Sequence, residues 1–488
     1  MTVSTLDDAM TLGALLASAA RRHPDRIAVT DGPVGLTYRQ LDRKVNGLAA
    51  ALRDRGVSRG QPVAAVLPHG ADLLTLWLAT ARIGGVFVPV NPALTAPERA
   101  TVVRHVRPRL IVADGAPNAP RWNDGRPQIG PGRLDAEVEP TDEAPPSHVA
   151  ADDPVTVLYT SGTTGLPKGC LLSHRTYTAP AAAFVRRIGL HGEDRLLACL
   201  PLFHMAGQSF AVSGIVAGAR LAIVRRFSAT QFWQQAVDTG ATVFRYLGEM
   251  LSLLLRQPPS PTSTRHRLRL GYGGGARPSV RAEFERRFGV PIVEGYGLSE
   301  TNTILCGPHG QGSLGMPLPP AEVRVDAPAG EVGELQVRGP ALMLGYHRDP
   351  ERTAATRTGE WRRTGDLGRA HPDGSFSFVA RRDDVIRRRG EHVDPAEVEE
   401  ALASFRGVAA AVVVAVTGAY ADDRIEAFVV PAHGHELRPA ELRDWCAARL
   451  AAFKRPDAFT VIDQIPMTAT TKIDKSALLA MSRIEVSP

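Results

Sequence analysis

Tyr159-Thr-Ser-Gly-Thr-Thr-Gly-Leu-Pro-Lys-Gly169 is the stretch on which the reading of this chain turns. It follows Val155-Thr-Val-Leu158, an apolar run rich in β-branched residues that reads as a buried strand. Within nine residues it gathers three hydroxyls (Ser161, Thr163, Thr164), three glycines (Gly162, Gly165, Gly169) and Lys168. Glycines let backbone N–H groups converge on an anion, and the hydroxyls and the ammonium supply further donors. The segment reads as an anion-binding loop after a strand. It is not a Walker A loop, because the GxxxxGK[ST] spacing is absent.

Working outward, helical and strand patterns alternate on both sides of this loop. Leu12, Leu15, Leu16 and Ala19 recur at helical spacing, and a second helical stretch follows Thr37-Tyr38. Pro62 to Leu67 and Gly85 to Val90 read as buried strands, which argues for an α/β sheet covered on both faces. Residues 115–150, rich in Pro, Gly, Asp and Glu, read as a surface connection. Alternation resumes at Val155 and runs to about Val325, and 321–380 is β-rich with Gly-containing turns. After Asp383 the pattern changes to a compact α+β unit. Pro395–Ser404 and Pro439–Phe453 are expected as helices, with Val408–Val416 and Ile425–Val430 as strands. The expected organisation is a large domain of α/β subdomains plus a β-rich subdomain over 1–382, and a small mobile α+β domain over 383–488.

The chain has 488 residues, 44% hydrophobic and 22% charged, with a net charge of +6. That suits a multidomain globular protein, and no dense Lys/Arg block marks a nucleic-acid arm. The longest apolar stretches are nine residues, against roughly 20 for a membrane-crossing helix. Asp7 and Asp8 stand where a signal peptide carries positive charge, so a cytoplasmic location is expected. Cys170, Cys199, Cys306 and Cys446 are widely spaced and imply neither a disulfide scaffold nor structural zinc. Only five of the 57 basic residues are lysine: Lys44, Lys168, Lys454, Lys472 and Lys475. A lysine that survives so strong an arginine bias either marks a place where a compact ammonium is wanted or is a chance survivor, which is the reading preferred for Lys44.

Further segments carry chemistry. Gly273-Gly274-Gly275 offers a flat floor, and Glu294-Gly-Tyr-Gly-Leu-Ser-Glu-Thr301 combines an aromatic ring, a hydroxyl and two carboxylates around glycines. Trp361-Arg-Arg-Thr-Gly-Asp366 ends in a carboxylate that, taken alone, is more often a turn residue. Arg381-Arg-Asp-Asp-Val-Ile-Arg-Arg-Arg-Gly390 sits where the composition switches, and Pro466-Met-Thr-Ala-Thr-Thr-Lys-Ile-Asp-Lys475 holds two of the five lysines.

Together, and in this order, these segments resemble the adenylate-forming superfamily: acyl-CoA synthetases, peptide-synthetase adenylation domains and luciferases. The resemblance runs from about Leu12 to Leu479. It implies that Ser161, Gly162, Thr163, Thr164, Gly165 and Lys168 bind ATP phosphates. Tyr296 would stack on adenine, Ser299 would meet the α-phosphate and Glu300 would hold Mg²⁺. Asp366 would take the ribose hydroxyls and Arg381 the adenylate, with Asp383 as the hinge and Gly390 at the acceptor tunnel. Lys472 would bridge carboxylate and α-phosphate, while Lys475 is read as a surface charge. His204, in Pro201-Leu-Phe-His204, would line the substrate pocket with Gly273–Gly275. Departures from the pattern are Ser299 for threonine, Ala380 for glycine, Arg387 for lysine and Thr471 for glycine. A β-branched residue at 471 resists positive φ, which puts the backbone of that loop in question.

The implied activity is ATP-dependent, AMP-forming ligation. An acyl or aryl acid is activated as its adenylate with release of pyrophosphate, then transferred to CoA. The sequence leaves open a stand-alone ligase loading a separate carrier protein, and adenylation of nitrite for diazotisation of an aryl amine. A non-catalytic nucleotide-binding homologue is the alternative of another class. The identity of the acid and the oligomeric state are not legible.

Overall fold

Leu12, Leu15, Leu16 and Ala19 line the buried face of a helix, Leu12–Arg22, whose N-cap Thr11 accepts from the Ala14 amide. Thr37 caps Tyr38–Asp54 and forms a reciprocal pair of bonds with Gln40. Leu73–Ala81 falls in a third helix, Ala71–Arg82, which is apolar and buried on nearly every side. A helix with no polar face belongs inside a domain. The computed structural model describes residues 10–113, 128–130, 138–160, 168–307, 313–382, 386–388, 391–393, 395–416, 423–467 and 473–482.

The chain divides into two units, one of Met1–Val323 with Val337–Arg362, the other of Arg324–Gln336 with Arg363–Pro488. Two sheets build the first. One runs in the order Gly345–Tyr346, Lys168–Ser173, Pro154–Thr160, Val86–Pro89, Pro62–Val66, Leu110–Ala113, Gln128–Ile129. The other has six consecutive parallel strands, ordered Ile27–Asp31, Arg220–Ile223, Arg195–Ala198, Val243–Leu247, Leu270–Gly274, Ile292–Leu298. Asn302–Gly307 and Ser313–Pro317 then extend it antiparallel. Parallel neighbours are joined through helices that cover both faces of the sheet, which is why its strands are apolar on both sides. Of the connection expected over 115–150, residues 128–129 form a short strand, and most of 114–137 lies outside the described residues.

In the second unit, residues Asp366 to Ala370 of the strand Trp361–Ala370, whose first two residues belong to the first unit, pair with Phe376–Arg381. Val408–Val416, Arg424–Pro431 and Ala458–Val461 form a separate three-stranded sheet. Pro395–Ala403 and Pro439–Ala447 are helices whose Val398, Leu402, Leu442 and Cys446 join its buried core. The second helix ends six residues before the expected Phe453. Arg455 explains the stop: its guanidinium donates to the carbonyls of Ala447 and Leu450, taking groups that a continuing helix would use. Among the described residues no helix is long and apolar enough to cross a membrane.

One side chain ties the helical layers of the first unit to its smaller sheet. Trp77, fully buried, donates from Nε1 to Thr156 Oγ1 at 3.1 Å and meets the Tyr177 ring edge-on at 5.3 Å. Tyr177 lies on the helix His174–Ile188, which also supports the site described next. Trp77→Ala leaves a large cavity and should cost about 3–5 kcal/mol in denaturant unfolding. Trp77→Phe, which keeps a ring but loses the bond to Thr156, should cost roughly half as much.

Candidate functional site

Four adjacent parallel strands, Arg195–Ala198, Val243–Leu247, Leu270–Gly274 and Ile292–Leu298, have their carboxyl ends on one edge of the larger sheet. Ligands of open α/β sheets gather at such edges. At this edge the chain places His204, Gly248, Gly273–Gly275 and the turn that holds Ser299 and Glu300. His204 is the N-cap of the helix Met205–Ala217, with its ring edge-on to Phe203 at 4.8 Å. A Cβ on Gly273 would lie 2.2 Å from the Tyr246 carbonyl, and one on Gly274 would lie 2.6 Å from the Gly295 carbonyl. The floor is bare backbone because no side chain fits.

Beneath the floor lies Glu294, almost completely buried. Its Oε1 accepts from the Tyr246 hydroxyl at 2.7 Å and from the Ala276 amide at 3.1 Å. Burial pushes its pKa up to about 7, against the opposing pull of these bonds and of Arg281. The carboxyl thus fastens the residue after the three glycines to the strand that leads into the 298–302 turn.

That turn is a β-hairpin end. Ile292–Leu298 pairs antiparallel with Asn302–Gly307, with Tyr296 opposite Leu305 and Leu298 opposite Asn302. Leu298 N donates to Thr301 Oγ1, and Asn302, at φ 56, donates from Nδ2 to the Thr176 carbonyl at 2.9 Å. Asparagine tolerates this left-handed backbone because its short amide bonds locally. Ser299 and Glu300 sit at the tip, and Tyr296 is half-buried on the strand before it.

Glu300 is held from outside its own hairpin. Its carbonyl accepts from Met343 N at 2.8 Å, and its Oε1 accepts from the Tyr346 hydroxyl at 2.9 Å. Arg362, buried and pushed down in pKa by that burial, donates to the Met343 carbonyl at 3.4 Å and to Thr356 Oγ1 at 2.7 Å. Tyr346 in turn pairs with Cys170, and Gly345 with Leu171, on the strand Lys168–Ser173. Burial raises the Cys170 thiol well above its ordinary pKa, and the charge on Glu300 adds to the rise. Thus Tyr346 joins the Glu300 turn to the strand that opens with Lys168. That strand pairs antiparallel with Pro154–Thr160, Thr160 opposite Lys168. Ser161, Gly162, Thr163, Thr164 and Gly165 come between them, outside the described residues.

In the second unit, Asp366 and Arg381 are direct cross-strand neighbours, and Arg381 Nε meets the buried Asp366 Oδ1 at 2.8 Å. Glu334 stiffens this hairpin by accepting from Gly365 N, Arg363 Nε and Arg382 Nη1. Ala380, opposite Leu367, is buried in ordinary strand geometry, so its extra methyl is accommodated there. Arg388 is bound to Asp457 at 2.6 Å. Asp383, Gly390, Thr471 and Lys472 lie outside the described residues. Met467 and Ile473, which bracket the last two, form an antiparallel bridge.

Reading the sequence missed Tyr346, Met343 and Arg362. Tyr346 stands in an unremarkable Leu-Gly-Tyr-His run, and only the pairing of 345–346 with 170–171 reveals its task. Arg362 was visible beside Trp361, but nothing in its neighbourhood distinguishes it from 51 other arginines.

The chain is similar to known proteins along most of its length. A family model described as AMP-binding enzyme matches residues 16–347, and one described as AMP-binding enzyme C-terminal domain matches residues 397–472. A sulfoacetate–CoA ligase of Cupriavidus necator is 32% identical, covering 96% of this chain and 97% of its own. A 2-succinylbenzoate–CoA ligase of Bacillus cereus is 30% identical over 92% and 94%. The O-succinylbenzoate coenzyme A synthetase of Bacillus subtilis, solved with ATP and a magnesium ion, superposes with a TM-score of 0.82 at 27% identity, covering 94% of this chain and 98% of its own.

The buried carboxyl makes a pH-dependent contribution. Glu294 binds its proton more tightly folded, with a pKa of about 7, than at the ordinary 4.5. Its contribution is therefore fully present below 4.5 and is lost as pH rises through about 7. The stability of the native chain relative to Glu294→Gln should fall across that window, measured by denaturant unfolding at a series of pH values. A difference that stays flat contradicts the raised pKa.

Proposed function

The chain belongs to the AMP-binding enzyme family, and from that premise we propose that it is an acid–thiol ligase. It forms an acyl adenylate from ATP and a carboxylic acid, releases pyrophosphate, and transfers the acyl group to CoA. CoA is proposed over a carrier protein because the named relatives are CoA ligases. Its need for ATP and CoA puts it in the cytoplasm.

The observation that carries this reading is the tie made by Tyr346. A lone carboxylate at a turn tip is common. One aimed by a tyrosine hydroxyl, and fixed to the strand leaving a Ser/Thr/Gly/Lys loop, has the arrangement needed to manage a polyphosphate. In this proposal the 161–169 loop, Lys168 included, receives the β- and γ-phosphates. Tyr296 stacks on the adenine and Ser299 meets the α-phosphate. Asp366 accepts from the ribose hydroxyls, a role supported by its buried, Arg381-paired carboxylate. Arg381 contacts the adenylate, His204 and Gly273–Gly275 border the acid, Asp383 is the hinge, and Gly390 borders the path of the thiol.

Glu300 fits magnesium. It is a hard oxygen donor, half-buried and pre-aimed, and among the described residues no group of three or more His, Cys, Asp or Glu gathers into a protein cage. Magnesium usually takes one or two carboxylates and completes its shell with phosphate oxygens and water. Bound there, it would supply positive charge against the triphosphate.

No protein nucleophile enters the first step. The acid's own oxygen attacks the α-phosphorus, and the P–O bond to pyrophosphate breaks. The protein's work is positioning, and screening an anion from the polyphosphate it approaches. Lys472 supplies a point charge between the two oxyanions, where a planar guanidinium prefers forked contacts. Lys472→Arg and Lys472→Ala should both lower adenylate formation by a few hundredfold, about 3–4 kcal/mol, while thioester formation from preformed adenylate is retained. Lys475→Arg should be nearly silent. Pyrophosphate release and CoA consumption, measured separately, decide this. An active Lys472→Arg enzyme contradicts the point-charge role, and no acid-dependent pyrophosphate release contradicts the ligase reading itself.

A further inference from the structure

Arg245 lies on the strand Val243–Leu247, between Phe244 and Tyr246. Side chains alternate along a strand, and both flanking rings belong to the cluster around Phe232, Phe284 and Ile292. Arg245 points the other way, toward the helix that His204 opens. Its Nη1 donates to the Ala206 carbonyl at 3.0 Å and to Ser209 Oγ at 2.5 Å. Its guanidinium lies 5.1 Å from the centroid of the Tyr272 ring, on the residue just before Gly273.

Burial pulls this guanidinium below its ordinary pKa, yet the residue keeps some exposed surface. A cation so placed is costly without a counter-charge. Among the described residues no carboxylate pairs with Arg245. Glu294, two strands away, is committed to Tyr246 and Ala276. The surroundings add positive charge. Arg187 donates to the Cys306 carbonyl at 2.6 Å, and Arg187 and Arg245 both oppose the burial that pushes the Cys306 thiol up to about 12. The Nε–Nη2 edge of Arg245, the edge that grips an oxyanion in a forked pair, has no partner among the described residues.

We propose that Arg245 is a specificity-determining residue that receives a second anionic group, a carboxylate or sulfonate, on the acid this enzyme activates. The inference rests on the ligase reading and narrows its substrate to a dianion. One oxyanion goes to the α-phosphorus, and the other supplies the missing counter-charge beside His204 and Tyr272. A monoacid of the same skeleton fills the same space but leaves the cation uncompensated, so the site discriminates against it.

The test is pyrophosphate release with matched acids: butanoate against succinate and 3-sulfopropanoate, and benzoate against its 2-, 3- and 4-carboxy derivatives. For at least one skeleton the dianion should exceed its monoacid in kcat/KM by about tenfold to a hundredfold, the range for a hydrogen bond to a charged group. Arg245→Met should collapse that ratio toward one, chiefly through KM of the dianion, and Arg245→Lys should keep part of it. Thermal melting checks that the variants fold, and the wild-type comparison alone stands if they do not. Monoacids used as well as every matched dianion overturn the proposal while sparing the ligase reading, as does a dianion preference that survives Arg245→Met. No pyrophosphate release with any acid overturns both.

Discussion

The hydrogen bond from the Tyr346 hydroxyl to Glu300 Oε1, 2.9 Å long, joins three parts of the chain that sequence keeps far apart. The turn at 298–302 joins two strands of the larger sheet, the strand Lys168–Ser173 belongs to the smaller one, and the segment 343–346 reaches both. A carboxylate at a hairpin tip would otherwise sample many rotamers. The tyrosine removes that freedom before any ligand arrives, which is how a site gains rate without a reactive side chain. Arg362 and Met343 brace the same point from behind through the backbone.

Charge is deployed with the same economy. The chain meets most of its needs for a cation with arginine, spent on ion pairs such as Arg388–Asp457 and Arg363–Glu334. Arg245 is held by the Ala206 carbonyl, Ser209 Oγ and the Tyr272 ring, with no carboxylate partner among the described residues. The first unit therefore holds a carboxylate fixed at the Glu300 turn and, against Ala206 and Tyr272, a cation with no carboxylate partner among the described residues. In the proposed function the first serves a metal–polyphosphate and the second an anionic acid.

Much of this was legible in the residues. Periodicity located the early helices because their apolar faces are buried, and the strands near 62–67 and 85–90 because parallel strands are apolar on both faces. The helix expected to reach Phe453 stops short, where Arg455, just beyond the expected end, folds its guanidinium back onto the Ala447 and Leu450 carbonyls. For the site, the hydroxyl, glycine and carboxylate clusters are local in sequence and could be singled out there, with Ser161–Gly165 lying outside the described residues. Asp366 and Arg381 were each singled out, but their pairing depends on strand register, which a linear reading does not supply. Tyr346 and Arg245 could not be singled out at all. Their significance lies in what stands opposite them, a carboxylate in one case and no carboxylate in the other.

The account stands on Tyr346 acting through Glu300, and a double-mutant cycle measures that coupling most directly. Acid-dependent pyrophosphate release would be compared in the wild type, Tyr346→Phe, Glu300→Gln and the double variant. The account predicts that Tyr346→Phe costs about tenfold or more in the native background, as expected for a lost hydrogen bond to a charged group. In the Glu300→Gln background the same change should cost almost nothing. Equal losses in both backgrounds would show that Tyr346 acts independently of the carboxylate, and would contradict the claim that it positions Glu300.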